Sequence, residues 1–263
     1  MLFPREMSLY EPLPVDTGGR HRMDLLGWYQ QFVDLGWHVD ILHPDQMIAD
    51  ALREYRYLVV PTNTLYDLGD NAALEQSVQQ WVEAGGTLLH GPHCDLARGA
   101  FGIVEEPVEF DCLEWREEII PHGWSTVAYR GGKALATYIQ TGRTGLAETR
   151  IGAGFVWSFG FQYGYAYSRR SMPIVPPRYG KREMHPVVLL KETPVAVLAG
   201  ASPLALLPPR KGVEAARFGT RVIIVNHGAS PVDISAVKAR LAIPQFPSAP
   251  GWLAAHSGML LET

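Results

Sequence analysis

Cysteine is scarce in these 263 residues: Cys94 and Cys112 are the only two. That scarcity excludes a disulfide framework and a structural zinc site built on paired cysteines, and leaves two reduced thiols as the expectation. A dominant charge sign is also lacking, since 23 Lys and Arg against 27 Asp and Glu leave a formal charge of -4. With a pI near 6.1 and no long run of either sign, nothing offers an electrostatic footprint for nucleic acid or an anionic membrane. Neither partner is expected. No stretch of about 18 apolar residues could span a bilayer, and no basic segment followed by an apolar one opens the chain. A cytoplasmic location is the default expectation. Internal repeats and low-complexity tracts are lacking as well. What the chain does have is apolar substance, 47% of its residues, enough for one large domain or two modest ones.

Along the first half, the patterning alternates between helix and strand. "GWYQQFVDL" (27–35) sets Trp28, Phe32 and Leu35 on one helical face, and Gly36 can end the helix. "WHVDIL" reads as a strand, and Asp45 with Gln46 opens another short helix. "YRYLVVPT" (55–62) is a continuous apolar run, as in a parallel strand covered on both faces. After the loop "LYDLGDNAA", Leu74, Val78 and Val82 recur every fourth residue in a helix stopped by Gly85 and Gly86, and "TLLHGP" is the next buried strand. This alternation predicts an α/β, flavodoxin-like, doubly wound parallel sheet. From Phe110 onward the runs turn strand-like, with Gly152 and Gly154 marking a turn between pairing strands. The stretch 163–182, rich in Tyr, Arg and Pro, shows no period and reads as a long loop or linker. "HPVVLLKETPVAVL" can begin with a short helix, and "VEAARFGTRVIIVNHGASPVDI" reads as a small antiparallel β-module.

Four stretches carry a family resemblance: "WHVDILHPDQ", "YRYLVVPTNTLYDLGDNAALEQSVQQWVEAGGTLLHGP", "ALATYIQTGRTGLAETRIGAGFVWSFG" and "GVEAARFGTRVIIVNHGASPVDI". In this order they resemble the regions that follow the catalytic barrel in family 42 β-galactosidases. The first three resemble its trimerisation domain, which has a class I glutamine-amidotransferase-like fold, and the last resembles its small C-terminal β-domain. The resemblance implies two domains, an amidotransferase-like 1–190 and an antiparallel β-domain 191–263. It also implies a homo-oligomer, a trimer by analogy, with a tie to carbohydrate metabolism. In that family both catalytic glutamates sit on an N-terminal (β/α)₈ barrel of roughly 250 residues. The expectation is therefore that this chain lacks the acid and nucleophile pair of retaining glycoside hydrolysis. Glu105-Glu106 and Glu117-Glu118 are adjacent in sequence, and neighbouring side chains diverge on a strand or helix.

Three candidate sites follow. The resemblance directs attention to "GGTLLHGPHCDLARG" (85–99), where Cys94 could serve as the nucleophile of an amidotransferase-like strand-to-helix elbow, with His93 or His185 as base. Against this, Pro92 removes a backbone donor, the elbow position by spacing falls on His93, and none of the nine histidines is followed two residues later by glutamate. Glu183 and His185 give the reversed order. His90, His93, Cys94 and Asp95, with His43 and Asp45, could converge at the carboxyl edge of the sheet around a metal, but no spacing is diagnostic and no metal or other cofactor is assigned. The third candidate is a carbohydrate-binding surface. Trp115, Trp124, Trp157, Phe161, Tyr163, Tyr165 and Tyr167 supply aromatic faces, and Arg169, Arg170 and Arg178 supply donors, with His90 and Asp95 as further ligand-binding candidates. The competing reading makes the aromatics core or subunit-interface residues and the arginines solvated. Asn226 in "IVNHG" reads as a turn residue bonding its own backbone. The leading functional reading is an oligomerisation or sugar-binding protein, non-catalytic by itself. Its rivals are a Cys94-dependent hydrolase and an accessory subunit of a barrel-bearing glycoside hydrolase.

Overall fold

The structure, a computed structural model, describes residues 18–42, 49–61, 72–169, 192–203, 205–208, 210, 212–237, 240–241 and 251–262. The chain divides into two compact units, Met1–Tyr29 with Asp40–Lys191, and Gln30–Val39 with Glu192–Thr263.

In the first unit, helix α1 (Gly18–Asp34) buries Asp24, Gly27 and Trp28 at helical spacing. A 3-10 turn (Ala49–Glu54) leads into β1 (Tyr57–Val60), then α2 (Ala72–Glu83) and β2 (Thr87–His90). Helix α3 (Asp95–Phe101) follows, then β3 (Val104–Pro107), β4 (Cys112–Trp115), β5 (Glu118–Trp124), β6 (Val127–Arg130), β7 (Lys133–Tyr138), β8 (Thr144–Ile151), β9 (Gly154–Phe159) and α4 (Tyr163–Arg169). Seven strands form one sheet in the order β1-β2-β9-β8-β7-β4-β5, and β3 pairs with β6 apart from it. Only β1, β2 and β9 run parallel to one another, with Val60, His90 and Ser158 in register; β8, β7, β4 and β5 add antiparallel. The sheet is thus mixed: of the strands the sequence reads as parallel, β1 and β2 are, and their further parallel neighbour is β9, from the strand-like later half.

The parallel strands are mostly apolar and largely buried because both faces are covered. On one face Leu58, Val60, Leu88 and Val156 pack with Leu74, Val78, Trp81 and Val82 of α2 and with Leu96 and Ala97 of α3. On the other, the Phe159 ring lies 5.0 Å from Trp28 of α1 and 5.1 Å from Tyr163 of α4. Gly152 and Ala153 form the two-residue turn that joins Ile151 to Gly154 across β8 and β9. Asp111, buried ahead of β4, accepts hydrogen bonds from the backbone of Cys112, Gln140 and Thr141 and from the Thr141 hydroxyl. Burial opposes its charge, yet these bonds outweigh that and hold its carboxyl below the ordinary 3.8. One side chain thereby clamps the β7–β8 turn to the start of β4.

Two local readings change. "WHVDIL" forms no ladder strand but an extended segment with a single bridge at Leu42; Ile41 is 52% exposed, so the run never commits its apolar side to a sheet. The start of the 163–182 stretch is helical, because the Asp24 carboxylate, 141 residues away, accepts from the Tyr165 N–H in the first turn of α4. The rest of that stretch lies outside the described residues, as do the loop 62–71 and the helix expected at Asp45.

Within the second unit, residues 30–39 are tied to the later segment by hydrogen bonds. Thr193 Oγ1 donates to Gln31, the Gly212 N–H to Asp34, the Ser202 N–H to the Leu35 carbonyl, and Trp37 Nε1 to the Gly200 carbonyl. Its helix α5 (Pro194–Ala199) starts at Thr193, whose hydroxyl accepts from the Ala196 N–H, with Pro194 in the first helical position. The helix therefore sits at the end of the "HPVVLLKETPVAVL" stretch. Strands β10 (Val213–Phe218), β11 (Arg221–Asn226), β13 (Arg240–Leu241) and β15 (Ser257–Glu262) form an antiparallel sheet in the order β10-β11-β15-β13. Strand β12 (Val232–Asp233) pairs with β14 (Trp252–Leu253). Val222, Ile224, Val232, Leu253 and Leu261 form its core. Asn226 accepts from the Gly228 N–H and donates to the Ser230 and Ala254 carbonyls, so its amide is spent on the turn.

Candidate functional site

Strand β2 ends in His90 and helix α3 begins at Asp95, so four residues must reverse the chain. They manage it through a left-handed residue: His93 has φ of 60°, a conformation few residues other than glycine adopt without cost. The strained elbow thus falls on His93, where the spacing from Gly91 puts it. Cys94, one residue later, is extended at φ -81° and precedes the first helical residue.

That single step separates two environments. Cys94 is fully buried in the cluster with Leu58, Leu88, Leu96 and Ala97. Burial pushes its thiol up to about 12, against smaller opposing effects of the Ala97 and Leu96 amides. His93 keeps 37% of its side chain exposed. Its backbone N–H donates to Glu105 Oε1 at 2.8 Å, and its Nδ1 lies 3.4 Å from Glu105 Oε2. Glu105 projects from β3 with its side chain only 8% exposed. Burial raises its carboxyl, but the bonds from His93 prevail and hold it below the ordinary range. Arg98 Nη1 stands 4.0 Å from the same oxygen and also pairs with Asp95. The neighbouring Glu106 turns the other way, to Arg130 and Arg143, so the adjacent carboxylates diverge as strand alternation requires.

Behind the elbow, His90 is fully buried, and both ring nitrogens are engaged. Nδ1 is 2.8 Å from the Gly91 carbonyl, which can only accept, so Nδ1 carries the proton. Nε2 of the neutral ring then accepts from Ser158 Oγ at 2.7 Å. Burial lowers the His90 pKa to about 4, despite the opposing pull of the Gly91 carbonyl and Glu105. The Tyr129 ring stands edge-on at 5.8 Å.

The remaining sequence candidates scatter. Tyr163 is buried in the cluster with Trp28, Phe159 and Phe161, and Tyr165 is half-buried on the same helix. Phe161, Trp115 and Trp157 are buried too, Trp157 donating to Glu148. Trp124 is partly exposed beside Phe110, on a different element from Tyr163. His185, Arg170, Arg178, His43 and Asp45, and the side chain of Arg169, lie outside the described residues. Among the described residues no three His, Cys, Asp or Glu side chains are grouped to hold a metal ion. Glu105 is the partner that sequence reading missed. Its only signal there is a charged residue in a short strand, and the fold alone brings it to His93.

Solved structures share this fold. The chain is 15% identical to a β-galactosidase from Bacillus circulans sp. alkalophilus, with TM-score 0.59 over 92% of this chain and 37% of that one. A β-galactosidase from the psychrophilic Marinomonas ef1 gives TM-score 0.60 at 15% identity over 99% of this chain and 37% of that one. A family 42 β-galactosidase from G. stearothermophilus gives 0.61 at 14% identity, over 99% and 39%. This chain therefore spans under two fifths of the length of these β-galactosidases. No curated protein matches it in sequence. Residues 8–98 match the family model of the β-galactosidase trimerisation domain, and the chain resembles that portion of the family 42 β-galactosidases.

Proposed function

We propose that this chain is an assembly module of the β-galactosidase trimerisation type: a homotrimer, with neither glycoside hydrolysis nor Cys94 catalysis of its own, serving carbohydrate metabolism in the cytoplasm. The match of residues 8–98 to the trimerisation-domain family carries the reading. Three parallel strands with helices on both faces support a flavodoxin-like, glutamine-amidotransferase-like domain over 1–190, with a small antiparallel β-domain over 191–263. The buried Cys94 supports the absence of Cys94 catalysis. A Cys94-dependent hydrolase needs a thiolate facing substrate, and this thiol is enclosed and pushed up to about 12. Buried Trp157, Phe161 and Tyr163 favour assembly over a sugar-binding surface, since a stacking ring must present an open face.

Sedimentation equilibrium of the full chain tests this. A species three times the 29.1 kDa chain mass is the expected result, and a monomer at micromolar concentration overturns it. A second reading, an accessory subunit of a barrel-bearing glycoside hydrolase, is favoured by the chain's 37–39% coverage of the β-galactosidases it resembles. Co-elution with a separately expressed family 42 barrel supports that reading, and separate elution at equal micromolar concentrations counts against it.

A further inference from the structure

We propose that His93 is a nucleophile for neutral carboxylic esters, accepting an acyl group on Nε2, with Glu105 as its positioning residue. This goes beyond the assembly reading and does not depend on it. The geometry has three parts. First, the turn holds His93 at φ 60°, a strained conformation that persists only where surroundings impose it. Here the Glu105 carboxylate imposes it by accepting the His93 N–H at 2.8 Å. Second, the other oxygen of the same carboxylate faces Nδ1 at 3.4 Å. A carboxylate can only accept, so this contact favours the neutral tautomer with its proton on Nδ1 and the lone pair on Nε2. Third, the ring is 37% exposed while Glu105 is 8% exposed, so solvent reaches the imidazole and the orienting carboxylate stays fixed.

The charge around the ring selects the acyl donor. Glu105 and Asp95 contribute two carboxylates against the single guanidinium of Arg98. A phosphoryl or sulfuryl anion meets net repulsion there, whereas a neutral ester does not. In the reaction the Nε2 lone pair attacks the ester carbonyl, and the carbon–oxygen bond to the leaving group breaks with its electron pair. The N-acylimidazolium keeps its Nδ1 proton on the Glu105 side. Water then adds to the acyl carbon and gives one proton to solvent, the carbon–nitrogen bond breaks with its electron pair returning to Nε2, and the carboxylic acid leaves and releases its own proton, restoring the neutral ring. No metal, oxidant or further reactant is required.

p-Nitrophenyl acetate is the probe, with p-nitrophenolate release followed on the full-length protein. His93→Asn keeps a residue that tolerates positive φ and keeps the backbone donor to Glu105, while removing the nucleophile. Its release rate falls about 10-fold, less than the ~10²–10⁴ of an enclosed acid–base site, since the ring is open to water. His227→Asn, at an exposed histidine of the second unit, leaves the rate unchanged. Glu105→Gln keeps an acceptor for the His93 N–H and lowers kcat for release with KM in place, because the carboxylate facing Nδ1 is gone; Arg98 and Asp95 remain beside it. An unchanged kcat, or a rise in KM alone, overturns the positioning role of Glu105. Diethyl pyrocarbonate at less than one equivalent, mapped by mass spectrometry on the unaltered protein, independently locates the reactive ring. Modification of His93 ahead of the other eight histidines is expected. Wild-type release by His93→Asn, or first modification elsewhere, overturns the proposal.

Discussion

Between Cys94 and His90, burial decides the chemistry of the residues around the elbow. His90 shows it most clearly, since its ordinary pKa of 6.5 drops to about 4 in the folded protein. Between those values the unfolded chain binds a proton that the folded chain does not, so stability rises with pH across the window. His90 therefore costs nothing above pH 6.5, and destabilises progressively as the pH falls from 6.5 toward 4, by about 3 kcal/mol in all. Urea midpoints measured across that window should fall with pH in the wild type and fall less in His90→Gln. Parallel slopes for the two proteins would remove His90 as the cause. The histidines and the cysteine of this segment were all visible in the sequence, but their roles were not. The order of Gly91, Pro92, His93 and Cys94 placed the elbow on His93, whereas the partners Glu105 and Ser158 come from strands 12 and 68 residues further on.

Two helices set the next scale. α1 and α4 cross where Gly27 meets Gly164, so closely that a methyl on Gly27 would fall within the backbone carbonyl of Gly164. A methyl on Gly164 would meet the carbonyl of Asp24 in the same way. Because backbone rather than a flexible side chain stands in the way, Gly27→Ala should cost about 3 kcal/mol, at the upper end of overpacking effects. Thermal or urea denaturation checks it, and a loss under about 0.5 kcal/mol, typical of surface changes, would mean the helices can slide apart without penalty. The same crossing explains why α4 escaped detection. Tyr163 to Arg169 has no apolar period, but Asp24 caps its first turn and Gly164 admits α1, and both facts belong to a segment about 140 residues earlier. Where an element's signals lay within itself they were readable: Leu74, Val78 and Val82 on α2, and Thr193 with Pro194 at the start of α5.

For the whole molecule, the proposed trimer carries a thermodynamic consequence. If only folded chains associate, assembly stabilises the fold by mass action, and the thermal midpoint climbs with protein concentration. Scans of the full chain over a hundredfold concentration range should show that climb, and a constant midpoint would mean that association contributes nothing to the folded state. Within the molecule, the mixed sheet shows how far pattern can lead. Apolar runs in β1 and β2 announced strands buried on both faces, and they are parallel. The later runs announced strands but not their partners, and β4, which comes three strands before β7 in the chain, pairs beside it with the Asp111 clamp at their junction.

By itself the sequence determined which segments are helix or strand wherever apolar period, cap or glycine lay inside the segment, and it carried enough ordered likeness to indicate the β-galactosidase trimerisation domain. The amidotransferase spacing from Gly91 also put the elbow on His93, because that count is local. The tertiary structure alone decided which of two neighbouring side chains faces solvent and which is enclosed. Rotating one residue along the elbow puts His93 outside with Glu105 and Cys94 inside with Leu58 and Leu88. Exposure, pKa and hydrogen-bond partners depend on what the rest of the chain brings to that point, and no local pattern encodes them.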